Sequence, residues 1–540
     1  MTREHAQDTI LKDATFITMD DARSTAPGMW TRGDRIVALG DPDDLRGAAG
    51  RDAEVVSLEG ATVVPGFSDV HCHISSFAIT LAQADVGQPQ VPDIAALKRV
   101  MREQAAKTPA GVWVVGNGYV EYKLRDQRHP NRHDLDEAIP DRPCVIYHTS
   151  GHACAVNTIG LHEMGLGEES ADPPGGFLER DEHGKATGVI FEQPMFELAD
   201  RLFYSDTMAM SPAERAALMA KASAHYASMG LTSCSDAGAN ANGAAFRMFR
   251  DAEAAGTLAV RIACMFNYGV GDWLIDAGMT TGFGSDWLQV GAIKIFADGG
   301  MSSRSAAVEE PYPVPPFGTG VLFLEQDEMT ATIRKYHDAG FQVGIHAQGD
   351  RGIRTALQGF EDVIGTGSGN VRRHRLEHGG ALYAHLIAKS AAIGIHVASQ
   401  PAFLSTLGDG FLDAFGDDHG QLLYPFASIQ KAGLVVGGSS DNPVITEDVL
   451  LAIRDAVTRK TEAGRSIGAS ERLSAVDALA LYTRNAAWLS HHEAVKGSLE
   501  PGKLADYVVL SENPLAAEPD AIAGITIRRT VAGGNATYEA

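Results

Sequence analysis

The sequence predicts an α/β fold in which a (β/α)8 TIM-like barrel carries two additions. Eight short apolar segments alternate with helical stretches through the middle of the 540-residue chain, and this alternation is typical of a parallel barrel. Strand-like segments at both chain ends predict a small composite β-sandwich. A stretch that breaks the alternation after the first barrel strand predicts a large insertion.

The composite β-sandwich is expected to comprise residues 1–62 and 497–540. Its strands are predicted in ATFITM, RIVALG and AEVVSLEG near the start of the chain, and in ADYVVL and ITIRRTVAGG near its end. The alternative is two independent modules. One composite unit is favoured because each end has too few strands to bury a face alone.

The barrel is expected to span residues 63–496. Its eight strands are predicted, in chain order, in VVPGFSDVH, LTSCSDA, RIACMF, AIKIFAD, QVGIHA, RHRLEH, IHVASQ and LVVGGSSD. Residues 75–225 form the insertion, with a strand in CVIYHTS and a hairpin in GGFLERDEHGKATGVIFE. Loops after barrel strands form the wall of an active site, so this insertion is expected to lie over the barrel mouth and to set specificity.

Candidate metal ligands stand at the ends of five predicted barrel strands. His71 and His73 are separated by one residue, so both point the same way from a strand and can converge on one cation. A lone H-x-H pair is usually incidental, and the downstream strand ends therefore decide the interpretation. Those ends carry Lys294, His346, His378 and Asp441. Singly each has an ordinary structural explanation, but together they predict a metal site at a barrel mouth.

The composition argues against several classes of function. A net charge of -24 opposes binding to nucleic acid or to an anionic membrane, because both need basic patches. The expected partner is a small-molecule substrate, with a homodimer as the default assembly of a soluble enzyme. The five cysteines are scattered without a C-x-x-C pair, and the first residues lack the order of a signal peptide, which favours a cytoplasmic protein.

The ordered motifs resemble those of the amidohydrolase superfamily, and specifically its family 3 branch, which includes N-substituted formamide deformylases. The motifs are PGFSDVHCHI, IKIFADGG, HAQGD, LEHGG, GSSDNP and GSLEPGKLADYVVL. The resemblance spans nearly the whole chain. It implies a metal-dependent hydrolase that cleaves a carbon–nitrogen bond other than a peptide bond, in an amide or N-substituted formamide.

Other functions stay open beside this one. Hydrolysis of an ester, lactone, carbamate or urea would use the same attack on a carbonyl and would differ only in the leaving group. Deamination at an amidine carbon ranks below these reactions. Outside the enzymes, the alternative is a non-catalytic, metal-stabilised scaffold that binds a partner through the insertion.

The resemblance also assigns roles by position. The implied metal ligands are His71, His73, Lys294, His346, His378 and Asp441. Asp441 is expected to act as general base and acid beside metal-activated water. Two zinc ions are the first choice, with manganese, cobalt or iron as alternatives. Lys294 is expected to be carboxylated on Nζ and to bridge the metals; otherwise it is an electrophile beside one metal, or it merely lines the barrel.

Three further residues are candidates for contact with the substrate. His152 in TSGHACAVN is expected to hydrogen-bond the substrate carbonyl, and Ser150 stands where the family commonly has aspartate. Arg304 is a candidate for bidentate binding of a carboxylate, and Trp113 for an apolar wall. The competing interpretations are a structural histidine, a solvated arginine and a core tryptophan. Glu377 is expected to point away from the metal and to serve packing or orientation.

Overall fold

The computed structural model describes residues 7–239, 243–313, 318–367 and 369–540. Its strands are β1 Asp8–Ile17, β2 Thr25–Ala26, β3 Met29–Arg32, β4 Arg35–Leu39, β5 Glu54–Pro65, β6 Phe67–Cys72, β7 Ala84–Asp85, β8 Val114–Tyr119, β9 Cys144–His148, β10 Ala153–Val156, β11 Gly176–Arg180, β12 Ala186–Glu192, β13 Leu231–Ala239, β14 Arg261–Asn267, β15 Leu288–Phe296, β16 Val343–Ala347, β17 Arg375–His378, β18 His396–Ser399, β19 Val436–Gly438, β20 Tyr507–Leu510, β21 Ile527–Ala532 and β22 Asn535–Glu539.

The α-helices connect these strands. They are α1 Pro42–Ala49, α2 Ile74–Thr80, α3 Ile94–Ala105, α4 Arg132–Ala138, α5 Thr158–Glu163, α6 Gln193–Ala209, α7 Pro212–Ser228, α8 Ala244–Ala255, α9 Asp272–Asp276, α10 Gln326–Asp338, α11 Asp350–Ile364, α12 Ala384–Ile393, α13 Phe403–Thr406, α14 Gly408–Gly420, α15 Phe426–Lys431, α16 Val449–Thr458, α17 Ala475–Leu481 and α18 Arg484–Leu489.

Eight parallel strands form the barrel sheet, in the order β6-β13-β14-β15-β16-β17-β18-β19. They are the eight strands that the sequence predicts. The first and last strands meet through loop hydrogen bonds at the mouth. The N–H of Asp441 donates to the carbonyl of His71 at 2.8 Å, and the N–H of His73 donates to the carbonyl of Asn442 at 2.7 Å. The sheet is therefore a nearly closed barrel.

The helices around the barrel have local reasons to form where they do, and α7 is an example. Ser211 and Glu214 make a reciprocal capping box at its start, which satisfies two backbone N–H groups that would otherwise lack partners. Met219, Ala222 and Tyr226 follow at helical spacing and are buried. This face packs in the apolar core that the helix shares with the barrel strands.

The two chain ends supply strands to one further sheet, in the order β22-β21-β20-β5-β1-β3-β4, with β2 paired to β1. The end strands predicted from the sequence all fall in this sheet. β5 continues to Pro65, so only Gly66 separates it from the barrel. A Cβ on Gly66 would lie 2.3 Å from Oγ1 of Thr232, which explains the glycine. The two-layered sandwich and its limits at residues 62 and 497 stay predictions.

The chain between β6 and β13 builds a third, mixed sheet in the order β11-β12-β10-β9-β8-β7. The predicted hairpin is its edge: β11 pairs antiparallel with β12, and the N–H of Gly184 donates to the carbonyl of Asp181 in the turn. The strand predicted in CVIYHTS is β9. This sheet has an apolar core of its own. The limits of the insertion at residues 75 and 225 stay a prediction.

Two further observations concern the chain as a whole. Among the helices of the described ranges, none has the length and apolar character needed to cross a membrane. The cysteines at positions 72, 144, 154, 234 and 264 are free and buried.

Candidate metal centre

The six predicted metal ligands lie at or near the carboxyl ends of the barrel strands. They are His71 in β6, His73 just after it, Lys294 in β15, His346 in β16, His378 in β17 and Asp441 in the loop after β19. A parallel barrel brings all its carboxyl ends to one mouth, so strands far apart in sequence place these side chains together. Five are buried, and the side chain of His73 is 24 % exposed.

Three of the six form a compact group of donor atoms. One ligand atom each from His71, His378 and Asp441 lies within 4.8 Å of the other two. The Oδ1 atom of Asp441 is 3.3 Å from Nε2 of His71 and 3.0 Å from Nε2 of His73. Burial opposes charge on Asp441, but its hydrogen bonds to these two histidines hold its pKa well below the usual range. The group therefore presents imidazole nitrogens around an ionised carboxylate.

Both buried imidazoles of this group are oriented by acceptors behind them. Nδ1 of His71 donates to Oε2 of Glu377 at 2.5 Å, and Nδ1 of His378 donates to Oε1 of Gln400 at 3.0 Å. These contacts engage Nδ1 of each ring, so Nε2 is the nitrogen that would bind a metal, and such outer contacts are typical of metal-binding histidines. Two oriented imidazoles and a carboxylate are a donor set that fits a divalent cation such as zinc.

Glu377 differs from its predicted orientation. Strand alternation places Glu377 and His378 on opposite faces, yet both reach the site, because His378 ends β17 with a left-handed φ of 74°. Nε of Arg375 donates to Oε1 of Glu377 at 2.7 Å. Burial opposes ionisation of Glu377, but Arg375 and His71 hold its pKa well below the usual range. The predicted orienting role agrees with this contact to His71.

Gln400, by contrast, has no sequence feature that predicts its place in the site. Its Nε2 donates to Oγ of Ser439 at 2.9 Å, which fixes its carbonyl toward His378. The one indication in the sequence is that Gln400 ends the segment IHVASQ. The strands that supply candidate ligands also present them where the strand ends, at the barrel mouth. Glutamine is uncharged and is not a typical metal ligand, so this position alone does not predict that Gln400 orients a metal-binding histidine.

Lys294 lies beside this group. Its Nζ is 3.2 Å from Nε2 of His71 and 4.8 Å from the ring centroid of Phe296. Burial lowers the pKa of Lys294 to about 8, although Glu377 and Asp441 oppose this shift. A lowered pKa increases the neutral fraction of the amine, the form that reacts with carbon dioxide or binds a metal.

His346 reaches the same region from β16. Its ring centroid is 4.4 Å from that of His378, and burial together with nearby positive groups lowers its pKa well below the usual value. It is therefore neutral, as a metal ligand must be. Its Nε2 donates to the carbonyl of Gly299 at 3.1 Å, so Nδ1 is the nitrogen left for a metal in this arrangement.

His152 approaches the barrel mouth from the insertion. Its ring centroid lies 5.4 Å from that of His346, and its Nδ1 contacts Oε2 of Glu192 at 2.9 Å. The N–H of His152 donates to Oγ of Ser150 at 3.1 Å. The structure thus brings the first substrate-binding candidate next to a predicted metal ligand.

The other two substrate-binding candidates have different surroundings. Arg304 has a left-handed φ of 57° and, with Glu121, His129 and His148 among others, lines a small cavity. Trp113 is half-buried and packs against an apolar cluster of the insertion, and its Nε1 donates to Glu163 at 3.2 Å. The contacts of Trp113 favour a core role.

Comparisons with known proteins agree with this architecture. The sequence profile described as the amidohydrolase family matches residues 54–538. The chain is 29% identical over 543 residues to "N-substituted formamide deformylase" of Arthrobacter pascens, which covers 99% of this chain and 98% of that protein. It is also 29% identical over 520 residues to "Protein LONG AFTER FAR-RED 3" of Arabidopsis thaliana, which covers 94% of this chain and 87% of that protein.

A solved structure shares the fold. It is a metal-dependent hydrolase from Pyrococcus horikoshii OT3, with a TM-score of 0.76 and 23% sequence identity, and the alignment covers 95% of this chain and 99% of that one. At this identity the likeness concerns the fold alone.

Proposed function

The chain belongs to the amidohydrolase family, and we propose that it hydrolyses a carbon–nitrogen bond of a small amide or N-substituted formamide. The observation that carries this proposal is the buried group of His71, His378 and Asp441, whose imidazoles are oriented from behind. The similarity to a protein named N-substituted formamide deformylase extends over 99% of the chain and supports this choice of substrate class.

The proposed cofactor is a pair of zinc ions. The residues that would hold them are His71, His73, Lys294, His346, His378 and Asp441, with Lys294 carboxylated on Nζ. Divalent metal bound there would lower the pKa of water toward neutrality and polarise the substrate carbonyl. Imidazole and carboxylate donors suit zinc, and an anionic bridge would offset repulsion between two cations.

The protein's own groups would then carry the proton and hold the substrate. Asp441 accepts a proton from the attacking water as the new C–O bond forms. It then passes this proton to the nitrogen as the C–N bond breaks, which gives a carboxylic acid and an amine. His152 would donate a hydrogen bond to the carbonyl oxygen, and Arg304 is the candidate for a substrate carboxylate. Trp113 remains a candidate for an apolar wall beside the substrate, although its contacts favour a role in the core of the insertion.

The proposal also includes the partner, the assembly and the location of the protein. A small molecule is the expected partner, and a homodimer the expected assembly. The cytoplasm is the proposed location, because the five cysteines are free and thiols persist in a reducing compartment.

The test of this function is hydrolysis of N-alkyl and N-aryl formamides, with the matched formate esters and ureas as competitors. We expect equal release of formate and amine, loss of this activity after chelation, and its return when zinc is added. Faster turnover of the esters or ureas would reassign the substrate class. Full activity in rigorously metal-free protein would contradict the mechanism.

A further inference from the structure

Glu192 is a buried glutamate in a backbone conformation that glutamate rarely adopts. It ends β12 directly before α6, and its exposed fraction is 0%. Its φ of 62° and ψ of -132° belong to a region that is essentially restricted to glycine, because a Cβ is crowded there. A non-glycine residue that persists in such a conformation points to a function for its side chain.

The side chain of Glu192 is directed at His152, and the sheet explains why. β10 and β12 pair antiparallel with Ala153 opposite Phe191, and this register brings Glu192 alongside His152. The N–H of Glu192 donates to the carbonyl of His152 at 3.1 Å, while Oε2 of Glu192 lies 2.9 Å from Nδ1 of His152. Backbone and side chain together fix the imidazole relative to the insertion sheet.

The other nitrogen of this imidazole is left available. Throughout the part of the chain that the structure describes, the hydrogen bonds of His152 involve its backbone and Nδ1, and Nε2 has none. Oε1 of Glu192 is buried and also has no hydrogen-bond partner among the described residues. A carboxylate oxygen accepts a hydrogen bond, so its contact with Nδ1 of His152 places a proton on that nitrogen. Nε2 can donate to a carbonyl oxygen only when the imidazole carries a second proton, and a carboxylate partner on Nδ1 favours that cationic form.

The loop after β15 packs closely against this pair. A Cβ on Gly300 would lie 2.9 Å from Cδ2 of His152, and a Cβ on Gly299 would lie 2.7 Å from Oε1 of Glu192. The same loop accepts a hydrogen bond from His346 through the carbonyl of Gly299. Glu192 and His152 therefore join the insertion sheet to the barrel mouth at the predicted metal centre.

We propose that Glu192 is a positioning residue that holds His152 through Nδ1 so that Nε2 faces the substrate at the barrel mouth. This inference rests on the proposed function, in which His152 hydrogen-bonds the substrate carbonyl. A purely structural glutamate would cap the end of β12 and would not act through His152. The two roles are separable, because only the first couples the effect of Glu192 to that of His152.

Glu192→Gly is the main variant, since it removes the carboxylate and suits the positive φ. We expect kcat to fall about tenfold to a hundredfold, with little change in KM, because the lost contact acts mainly in the transition state. Glu192→Gln retains an acceptor and should keep part of kcat. Glu182→Gln is the control, because this carboxylate lies in the turn of the same hairpin and is 86% exposed.

A double-variant cycle with His152→Ala decides the proposal. If Glu192 acts through His152, adding Glu192→Gly to His152→Ala costs no further activity. The proposal would be overturned if the activity losses of the two single variants multiplied in the double variant, or if Glu192→Gly were as active as wild type. Zinc content and melting temperature of each variant show whether a loss instead reflects damage to the centre or the fold.

A second readout needs no substrate. In protein labelled with 15N-histidine, the His152 signal should report a proton on Nδ1 in wild type and should change in Glu192→Gly. An unchanged signal would also overturn the proposal. If the signal changes while wild type hydrolyses no amide or formamide, the proposed function is wrong, but Glu192 still positions His152. If wild type is active and His152→Ala is equally active, the proposed role of Glu192 is wrong, but the proposed function is retained.

Discussion

Asp441 is the residue on which the proposed chemistry depends most. It lies beyond β19 with a left-handed φ of 62°, and its N–H donates to the carbonyl of His71. The backbone that joins the last strand to the first therefore also aims this carboxylate. Hydrogen bonds to His71 and His73 keep it ionised despite its burial, which suits a group that must accept a proton.

Replacing Asp441 with Asn tests this role. The amide cannot take up the proton, so turnover should fall by about two to four orders of magnitude, while the remaining ligands keep much of the metal. Steady-state kinetics and metal analysis on the same preparation measure both effects. Near-normal turnover would assign proton transfer to another group, with His152 the next candidate.

Lys294→Ala separates a bridging lysine from a cationic one. A carboxylated Lys294 would be held by both metals, so its removal should empty at least one site, and short carboxylic acids with excess zinc should restore part of the activity. A lysine that acts as a positive charge beside one metal predicts unchanged metal content and no rescue. Metal analysis and activity with and without added acetate distinguish the two results.

The sequence predicts these residues because histidine, lysine and aspartate at strand ends are chemically conspicuous. It does not predict how they are oriented. The left-handed φ of His378 changes the direction of the His378 side chain relative to Glu377, and the contact from Gln400 to His378 depends on the pairing of Gln400 with Ser439. Neither a local φ nor a long-range glutamine contact leaves a pattern in sequence spacing.

At the scale of elements, the barrel strands were predictable and the sheet of the insertion was only partly so. The barrel strands are short, largely apolar runs, and several of them, such as β15, β16 and β17, are followed by a glycine-containing turn, a strong local signal. The hairpin of β11 and β12 has a turn signal as well. β7 has only two residues and pairs in parallel with β8, however, so its place in the sheet depends on contacts distant in sequence.

A buried ion pair connects a barrel strand to the sheet of the chain ends. Arg261 in β14 donates from Nε and Nη2 to both carboxylate oxygens of Asp506, at 2.8 and 3.1 Å, and both side chains are at most 7% exposed. Removing one partner leaves an uncompensated buried charge, so Arg261→Ala should destabilise the protein by about 3–5 kcal/mol.

The control for this prediction is Arg354→Ala. Arg354 pairs with Glu309 at 2.7 Å, but both side chains are about half exposed, so its loss should cost at most about 1 kcal/mol. Denaturant unfolding followed by fluorescence compares the two variants. Equal effects would mean that Arg261 and Asp506 do not hold the two sheets together.

At the level of the whole molecule, the sheet of the insertion meets the barrel mouth through the contact of His152 with His346, and bound metal would connect strands from opposite sides of the barrel. Metal that binds only the folded chain raises its stability, by about 2.7 kcal/mol when free metal is 100 times the Kd. We therefore expect chelation to lower the melting temperature and zinc to restore it. Identical melting curves at a fixed scan rate, with and without chelator, would contradict a metal bound by the native barrel.

Metal analysis of the purified protein and of His71→Ala shows whether the barrel-mouth histidines bind the metal. We expect a divalent metal content that approaches two per chain in wild type, and loss of both metal and activity in His71→Ala. His183→Ala is the control, because His183 lies in the insertion hairpin and its side chain is 74% exposed; it should keep both. A His71→Ala protein with wild-type metal content and activity would show that the barrel-mouth histidines are not the metal site.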